Sequence, residues 1–326
     1  MSGTSTGTQK YENHTYSSTG DYTIKITVNS GGTFQIRGYS QTGGLLVSSN
    51  TGDRRNAGYY SGLVTSVRVG NLVQLGAYAF AGCYNLRSVI FPQNMQLDIY
   101  GSNCFYGCVS LSSITLPSNN ITKLVSTMFR QCSDMKSLSI PSNITEIAYS
   151  AFIDCASLQS LTIPSSVTSL GSEMFRRCFA LRSMSIPSAV ATVPNYFIDS
   201  CKSVQSLTIQ NGVTSIGNYA FIDCYSIKSV IIPNTVTSIG ISAFNSMHSL
   251  TSLTIPSSVT NISKTAFGNN RNIIEYHCLP TTPPTAGENI FQYISPSCKI
   301  YVPSASLSAY QSAENWSTYA SYMVGE

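Results

Sequence analysis

The sequence has little charge and few residues of the kinds that support acid–base or metal chemistry. Only 10% of its 326 residues are charged, with 18 Lys and Arg against 14 Asp and Glu, and there are three histidines and one tryptophan. Average soluble proteins carry about 25% charged residues. This scarcity argues against an enzyme, and a formal charge of +4 is too weak for an electrostatic nucleic-acid binder.

The sequence also lacks long apolar runs. No window of about 18 apolar residues occurs, so no membrane span is predicted. Residues 1–4, Met-Ser-Gly-Thr, have neither a basic start nor an apolar stretch, and an export signal is therefore not expected in this chain. Serine and threonine, by contrast, make up a quarter of the chain.

A repeat of about 23 residues organises the chain. The clearest copy joins residues 158–164 (Leu-x-Ser-Leu-x-Ile-Pro), 167–171 (Val-Thr-Ser-Leu-Gly) and 174–178 (Met-Phe-x-x-Cys). One phenylalanine recurs in each copy, at intervals of 22 to 25 residues: Phe80, Phe105, Phe129, Phe152, Phe175, Phe197, Phe221, Phe244, Phe267 and Phe291. After Phe197, the Asp-Ser-Cys sequence has one residue more than the other copies. Repeats of this length predict a solenoid, because one copy alone cannot bury its apolar faces.

The spacing within one copy predicts its local structure. The alternation in residues 161–163 indicates a short half-buried strand, which Pro164 ends because it has no N–H to donate. Val167 and Leu170 form a second apolar pair, and Gly171 is expected to permit a turn with positive φ. The spacing of three and four residues through residues 171–181 predicts a short helical turn. Strand phrases recur from Val64 to Leu253, with a degenerate tenth at residues 275–278.

These phrases resemble the leucine-rich repeats of BspA-like (Treponema pallidum type) surface proteins, over about residues 61–303. The resemblance implies an α/β solenoid: a right-handed stack of about ten 23-residue coils with a parallel sheet, capped at both ends. It also implies binding to host or matrix proteins or to glycans, without catalysis and outside the cell or on its surface. The chain departs from the pattern at Gly70 and Gln210, where Pro is expected, and at Met247 and Asn270, where Cys is expected.

Three regions follow from this organisation: an N-terminal β cap over residues 1–60, the solenoid over 61–279, and a C-terminal cap over 280–326. Residues 14–24 resemble part of a PKD-type β-sandwich, although 60 residues are too few for a whole one. In the C-terminal cap, residues 299–303 predict a last strand. Ser304 is expected to N-cap a helix through about Glu314, with Leu307, Tyr310 and Trp316 folding onto the final coil.

Seven of the ten cysteines occupy one repeat position: Cys83, Cys108, Cys132, Cys155, Cys178, Cys201 and Cys224. This column could be a disulfide ladder, a metal array or a row of small buried hydrophobes, and the last is favoured because an odd run cannot pair completely. No bond is expected between Cys278 and Cys298, whose strand positions lie roughly 13 Å apart.

No metal, cofactor or catalytic site is predicted. His14, His248 and His277 lie in separate segments, and no Cys-x-x-Cys occurs. The sequence also lacks a Gly-x-Ser-x-Gly elbow and a glycine-rich phosphate loop.

The candidate binding residues lie on the outward side of the predicted strands and along their border. Two hydroxyl columns contain Ser137, Ser160, Thr162, Ser183, Ser185, Ser206 and Thr208. Beside them, basic residues recur in every second copy: Arg87, Lys136, Arg182 and Lys228. The hydroxyl columns either bind a repetitive ligand such as a glycan or keep the sheet soluble through cross-strand hydroxyl pairs. The basic column either meets an acidic partner or is a solvated edge.

The sequence therefore predicts a non-enzymatic binding or adhesion module that recognises a host or matrix protein or a glycan, with no nucleic-acid partner. A structural or receptor-binding protein of a phage virion stays open as the alternative, because virion proteins need no export signal. The sequence does not specify an oligomeric state.

Overall fold

A computed structural model of the chain describes residues 35–36, 66–68, 74–75, 77–78, 80–91, 98–99, 101–118 and 121–326. The predicted N-terminal β cap, with its PKD-like segment, lies outside the described residues except for residues 35 and 36. Those two form a strand that pairs in parallel with Gln74–Leu75.

The described residues form a stack of parallel strands. In chain order the strands are β1 (Gln35–Ile36), β2 (Ser66–Arg68), β3 (Gln74–Leu75), β4 (Ser88–Ile90), β5 (Asp98–Ile99), β6 (Ser113–Thr115), β7 (Lys123–Leu124), β8 (Ser137–Leu138), β9 (Glu146–Ile147), β10 (Ser160–Leu161), β11 (Ser169–Leu170), β12 (Ser183–Ile186), β13 (Thr192–Val193), β14 (Ser206–Ile209), β15 (Ser215–Ile216), β16 (Ser238–Ile239), β17 (Ser252–Ile255), β18 (Asn261–Ile262), β19 (Glu275–Cys278), β20 (Thr285–Ala286), β21 (Lys299–Val302) and β22 (Met323–Gly325).

These strands form two rows, one of which the sequence predicts. The first row, in the Leu-x-Ser-Leu-x-Ile-Pro phrases, has the ladders β2-β4-β6, β8-β10, β12-β14 and β17-β19-β21-β22. The second row comes from the Val-Thr-x-Ile phrases and has the ladders β1-β3-β5, β7-β9-β11 and β13-β15-β16-β18-β20. Equivalent residues of successive copies pair, as Ser160 does with Ser137. The predicted solenoid of about ten coils is confirmed. The second row is new, because the sequence indicates only an apolar pair there.

One predicted first-row strand does not form. Residues 228–232 make no backbone hydrogen bond with the neighbouring coils, although Val230 and Ile232 are buried. Ile231 points outward and is 80% exposed. The sheet is therefore interrupted at this coil.

The helical turn predicted after Gly171 is wrong. Each described copy instead turns two corners, with a positive φ at two residues four apart, such as Glu173 (57°) and Arg177 (59°). The backbone between the corners bonds to the next coil, as in the Phe152 N–H donated to Met174 O at 3.0 Å. The three- and four-residue spacing thus reflects paired corners that send Phe and Cys inward.

Gly171 is also required for a reason other than the one predicted. Its φ is not positive, but a Cβ there would lie 2.3 Å from the backbone N of Tyr149 in the preceding coil. Close approach of two coils, rather than turn geometry, therefore favours glycine at this position.

The repeated phenylalanines form an aromatic ladder through the core. Five of them stack in series with ring centroids 5.3 to 5.5 Å apart: Phe80, Phe105, Phe129, Phe152 and Phe175. Offset stacking of this kind adds about 0.5–1.5 kcal/mol per pair to the burial of each ring. This ladder is the centre of one continuous core.

The extra residue predicted after Phe197 is not an insertion. The positive-φ residues Tyr196 and Ser200 keep the four-residue spacing, so Ile198 occupies the ladder position and Phe197 the position before it. Accordingly the Ile198 N–H makes the inter-coil hydrogen bond of a ladder residue, to Ala220 O at 3.0 Å. The ring of Phe197 meets Phe175 edge-on, at an interplanar angle of 79°, and the stack is interrupted.

The C-terminal segment covers the last coils through side chains that bond to exposed carbonyls. Trp316 Nε1 donates to Pro284 O and the Tyr310 hydroxyl donates to Pro280 O, each at 2.8 Å. Both aromatic side chains are fully buried, and Leu307 packs against the same core. The predicted packing of these three residues is confirmed.

The helical start predicted at Ser304 is wrong. This residue opens a 3-10 helix, Ser304–Ser306, and its hydroxyl donates to Glu326 O at 3.2 Å instead of capping. The helix α1 (Leu307–Ser312) follows and ends earlier than predicted, and a second 3-10 helix spans Ser317–Tyr322. Among the described residues, no helix has the length and apolarity needed to cross a membrane.

Candidate functional site

The first-row strands present two exposed columns of side chains, which together are called the hydroxyl face. The first column is Ser113, Ser137, Ser160, Ser183, Ser206, Ser229 and Ser252. The second column is Thr115, Ser139, Thr162, Ser185, Thr208, Ile231 and Thr254. The seven predicted hydroxyl residues all lie here and are brought together by the parallel register.

The hydroxyls of this face are free. Among the described residues, no side chain of either column makes a hydrogen bond, so the cross-strand hydroxyl pairs of the solubility hypothesis do not form. Five threonines that directly precede second-row strands behave differently, because each donates to a carbonyl of the preceding coil: Thr145, Thr168, Thr214, Thr237 and Thr260. For example, Thr214 donates to Ala191 O at 3.0 Å and Thr237 donates to Thr214 O at 3.2 Å. The first row therefore offers unused donors and acceptors in a regular array.

A column of basic residues borders the hydroxyl face. The basic column consists of Arg87, Lys136, Arg182 and Lys228, all exposed. Arg87 directly precedes the half-buried Ser88, and the other three directly precede residues of the first hydroxyl column. Inter-coil backbone bonds hold the column in register, as where Gln159 N donates to Lys136 O at 2.8 Å and Arg182 N donates to Gln159 O at 3.1 Å. None of the four forms an ion pair with any described residue.

Carboxylates concentrate away from this border. Asp199 binds Arg176 Nε at 2.8 Å, and Glu146 binds Lys123 at 3.3 Å on the second row. Burial raises the pKa of Asp199, against the opposing effects of the Ser200 hydroxyl and Arg176. A first-row segment is taken as the eight residues that follow each Cys position, such as 179–186. The eight such segments between residues 84 and 255 contain one carboxylate, Asp134, and five Lys or Arg side chains. The face with free hydroxyls is therefore also the positively charged one.

Sequence reasoning missed a second exposed column beside the basic one. It is formed by the residue after the Cys position in five successive coils, namely Phe179, Lys202, the half-buried Tyr225, His248 and Arg271. The rings of Tyr225 and His248 stack at 4.6 Å, and Lys202 Nζ lies 5.4 Å from the centre of the Tyr225 ring. The signal was present in the sequence, because these residues share one repeat position, but they differ in type from coil to coil.

The cysteine column has a structural role. All seven side chains are buried as predicted, and six of the thiols donate to a carbonyl of the preceding coil, as Cys155 Sγ does to Phe129 O at 3.0 Å. Asn270 replaces Cys in the last such coil and donates Nδ2 to Phe244 O at 2.8 Å. This position therefore favours a small buried donor, although Met247 shows that an apolar side chain also fits there. Cys278 and Cys298 are also buried and free.

These thiols are expected to react slowly in the folded protein. Burial raises the pKa of Cys83 to about 11 and that of Cys155 to about 12, and the thiolate is the reactive form. At pH 8 a thiol reagent should label the native protein about a hundredfold more slowly than the unfolded chain. Titration in denaturant without reductant should then find all ten thiols. Fewer than ten, or fast labelling of the native state, would contradict the buried-thiol account.

No catalytic or metal-binding cluster is found in the described part of the chain. No group of three or more His, Cys, Asp and Glu side chains there could hold a metal ion. Of the histidines, His14 lies outside the described residues, His248 stacks as above, and His277 Nδ1 lies 2.9 Å from Glu326 Oε2 near the C-terminus.

The fold and the exposed columns define a class of protein: a parallel-strand repeat solenoid with one regular polar face. Residues 55–182 and 214–313 match the BspA type leucine rich repeat region in six copies. The match covers well over half of the chain, which therefore belongs to the BspA-type leucine-rich-repeat family. Repeat proteins of this kind are generally non-enzymatic binding modules.

Solved structures of bacterial repeat proteins are similar to this chain. A leucine-rich repeat protein from Bacteroides ovatus is 20% identical over 82% of this chain and 85% of its own, with a TM-score of 0.56, which supports the fold. The Treponema pallidum leucine rich repeat protein is 26% identical over 50% of this chain and 78% of its own, with a TM-score of 0.46. The pneumococcal vaccine antigen PcpA is 17% identical over 80% and 77%, with a TM-score of 0.47. No curated protein matches the chain.

Proposed function

We propose that the protein is a binding and adhesion module that holds an extended ligand against its hydroxyl face at a cell surface. The ligand classes are host or matrix proteins and glycans. The observation that supports this proposal is the contrast between free hydroxyls on the first row and internally bonded threonines on the second. Many weak polar contacts on a rigid frame add up through multivalency.

The family membership supports a binding role and a surface location, and it assigns no ligand. The alternative of a virion protein gains no support from the matches. The seven hydroxyl residues and the four residues of the basic column are the proposed contact residues, since they share one exposed side of the solenoid.

Blocking the hydroxyl face should weaken binding without unfolding the protein. The double variant Thr162→Trp with Thr208→Trp places two large rings on the flat array, in strand positions that tolerate aromatic residues. On an array of mucosal glycans and matrix proteins, affinity for any ligand that the native protein retains should fall about tenfold or more, equivalent to ~1.4 kcal/mol.

A matched control uses two exposed threonines of the second row, as Thr168→Trp with Thr214→Trp. This variant should bind like the native protein, and the two double variants should unfold at similar temperatures. Silence of the native protein across the array, or equal losses in both doubles, would contradict the proposed function.

A further inference from the structure

We infer that the ligand is a linear anionic polysaccharide, held by the basic column along the axis of the solenoid while its sugar hydroxyls bond to the hydroxyl face. The inference rests on the proposed function and adds the chemical class of the ligand. It combines three observations: unpaired cations at a constant interval, a face almost free of carboxylates, and a run of free hydroxyls from Ser113 to Thr208.

The interval between the cations is set by the fold. Neighbouring coils lie about 4.8 Å apart along a parallel ladder, so cations in alternate coils are separated by about 10 Å. Arg87 and Lys228 stand six coils apart, a span of about 29 Å. Each cation points from a first-row border and lacks an ion pair among the described residues. A partner with charges at regular intervals along a straight chain therefore fits this column.

The electrostatics are one-sided. Arg176, Arg177 and Lys123 bind carboxylates on other sides of the coil, with Arg177 held by Asp154. The cations of the basic column have no such neighbour, because Asp134 is the one carboxylate of the first-row segments between residues 84 and 255. An anion on this face thus meets attraction from several coils and little repulsion.

The chemistry of the face favours a polysaccharide over a polypeptide. From Ser113 to Thr208 both exposed columns consist of serine and threonine alone, without the apolar or aromatic anchors that dominate protein interfaces. Gln159 and Gln205 lie between the cations and add neutral donors and acceptors. A repeating polymer of hydroxyl groups and acidic groups matches a repeating surface of hydroxyls and cations in both chemistry and regularity.

The test compares two charge-matched double variants. Lys136→Gln with Arg182→Gln removes two cations of the basic column, whereas Lys123→Gln with Lys264→Gln removes two from elsewhere on the coils. Binding to heparin, hyaluronan and neutral dextran is measured by calorimetry at several salt concentrations. The first variant should bind the anionic polymers about tenfold more weakly, with a salt slope reduced by about one to two charges. The second variant should match the native protein, and dextran should bind neither.

Further arms separate the possible sources of the charge and the possible failures. Binding of heparin alone would identify sulfate as the recognised group, whereas binding of hyaluronan as well would identify carboxylate. Either result supports the inference. Short heparin oligosaccharides that reach only two cations should bind far more weakly than those spanning all four.

Equal losses in both charge variants, or poly-glutamate binding as tightly as heparin, would overturn the inference. A ligand that is lost on Thr162→Trp with Thr208→Trp but is insensitive to salt and to the charge variants would keep the proposed function and reject the anionic polysaccharide.

Discussion

Replacing Asn270 with leucine is expected to lower the free energy of unfolding by about 3–5 kcal/mol. The side chain is 2% exposed and makes three buried hydrogen bonds. Its Oδ1 accepts from Met247 N at 2.7 Å, and its Nδ2 donates to Phe244 O at 2.8 Å and to Phe267 O at 2.9 Å. Leucine has a similar volume but leaves Met247 N and Phe244 O unsatisfied, at about 1–3 kcal/mol each. It leaves Phe267 O with the Tyr276 hydroxyl at 3.4 Å.

The control is Asn270→Cys, which restores the residue that the repeat pattern expects. A thiol at this position can still donate to Phe244 O, as thiols do to the equivalent carbonyl in six other coils, but it cannot satisfy all three groups. The free energy of unfolding of this variant should therefore lie between that of the native protein and that of the leucine variant. It is measured by urea unfolding followed by circular dichroism. A leucine variant as stable as the native protein would show that the hydrogen bonds of Asn270 contribute nothing.

Truncating one ring of the aromatic ladder should have a comparable effect. Phe152 is fully buried between Phe129 and Phe175, with centroid distances of 5.5 and 5.3 Å. Phe152→Ala removes a large apolar side chain and two stacking contacts from a site where the backbone is held by inter-coil bonds. The expected loss is about 3–5 kcal/mol, because the coils on either side cannot collapse into the cavity.

Phe179→Ala is the matched control, since that ring is 44% exposed and lies outside the ladder. It should change the free energy of unfolding by less than about 0.5 kcal/mol. Both variants are compared by urea unfolding at one temperature. A small loss at Phe152 would indicate that the ladder is not the stabilising centre of the core.

Sequence periodicity predicts the solenoid well because the same buried positions recur in every copy. The phenylalanine and cysteine positions are apolar and inward-facing, and any stack of coils must bury them. The covering role of Tyr310 and Trp316 follows from the same logic, since both are large aromatic residues beyond the last regular coil.

Local backbone geometry is harder to predict. A spacing of three and four residues is shared by a helical turn and by two corners with positive φ, and polar or charged residues such as Glu173 and Arg177 occupy those corners. Spacing alone cannot reveal that Ile198, and not Phe197, occupies the ladder position. An inserted residue and a displaced phenylalanine produce the same sequence. Inter-coil hydrogen bonds settle both points.

The candidate site was predictable in position but not in chemistry. Alternation within the strands places the serine and threonine columns outside, and the every-second-copy rhythm identifies the basic column. That the first-row hydroxyls are free, while the second-row threonines donate to neighbouring carbonyls, depends on distances that a sequence does not contain.

Lysine footprinting of the unmodified protein tests whether the ligand lies against the hydroxyl face. Acetylation rates are measured by mass spectrometry with and without a saturating ligand from the binding array. Lys136 and Lys228 lie on the border of the hydroxyl face, whereas Lys123 and Lys264 lie elsewhere on the coils. We expect ligand to slow acetylation of Lys136 and Lys228 several-fold and to leave the acetylation rates of Lys123 and Lys264 unchanged. Protection of Lys123 and Lys264 in place of the other pair would contradict it.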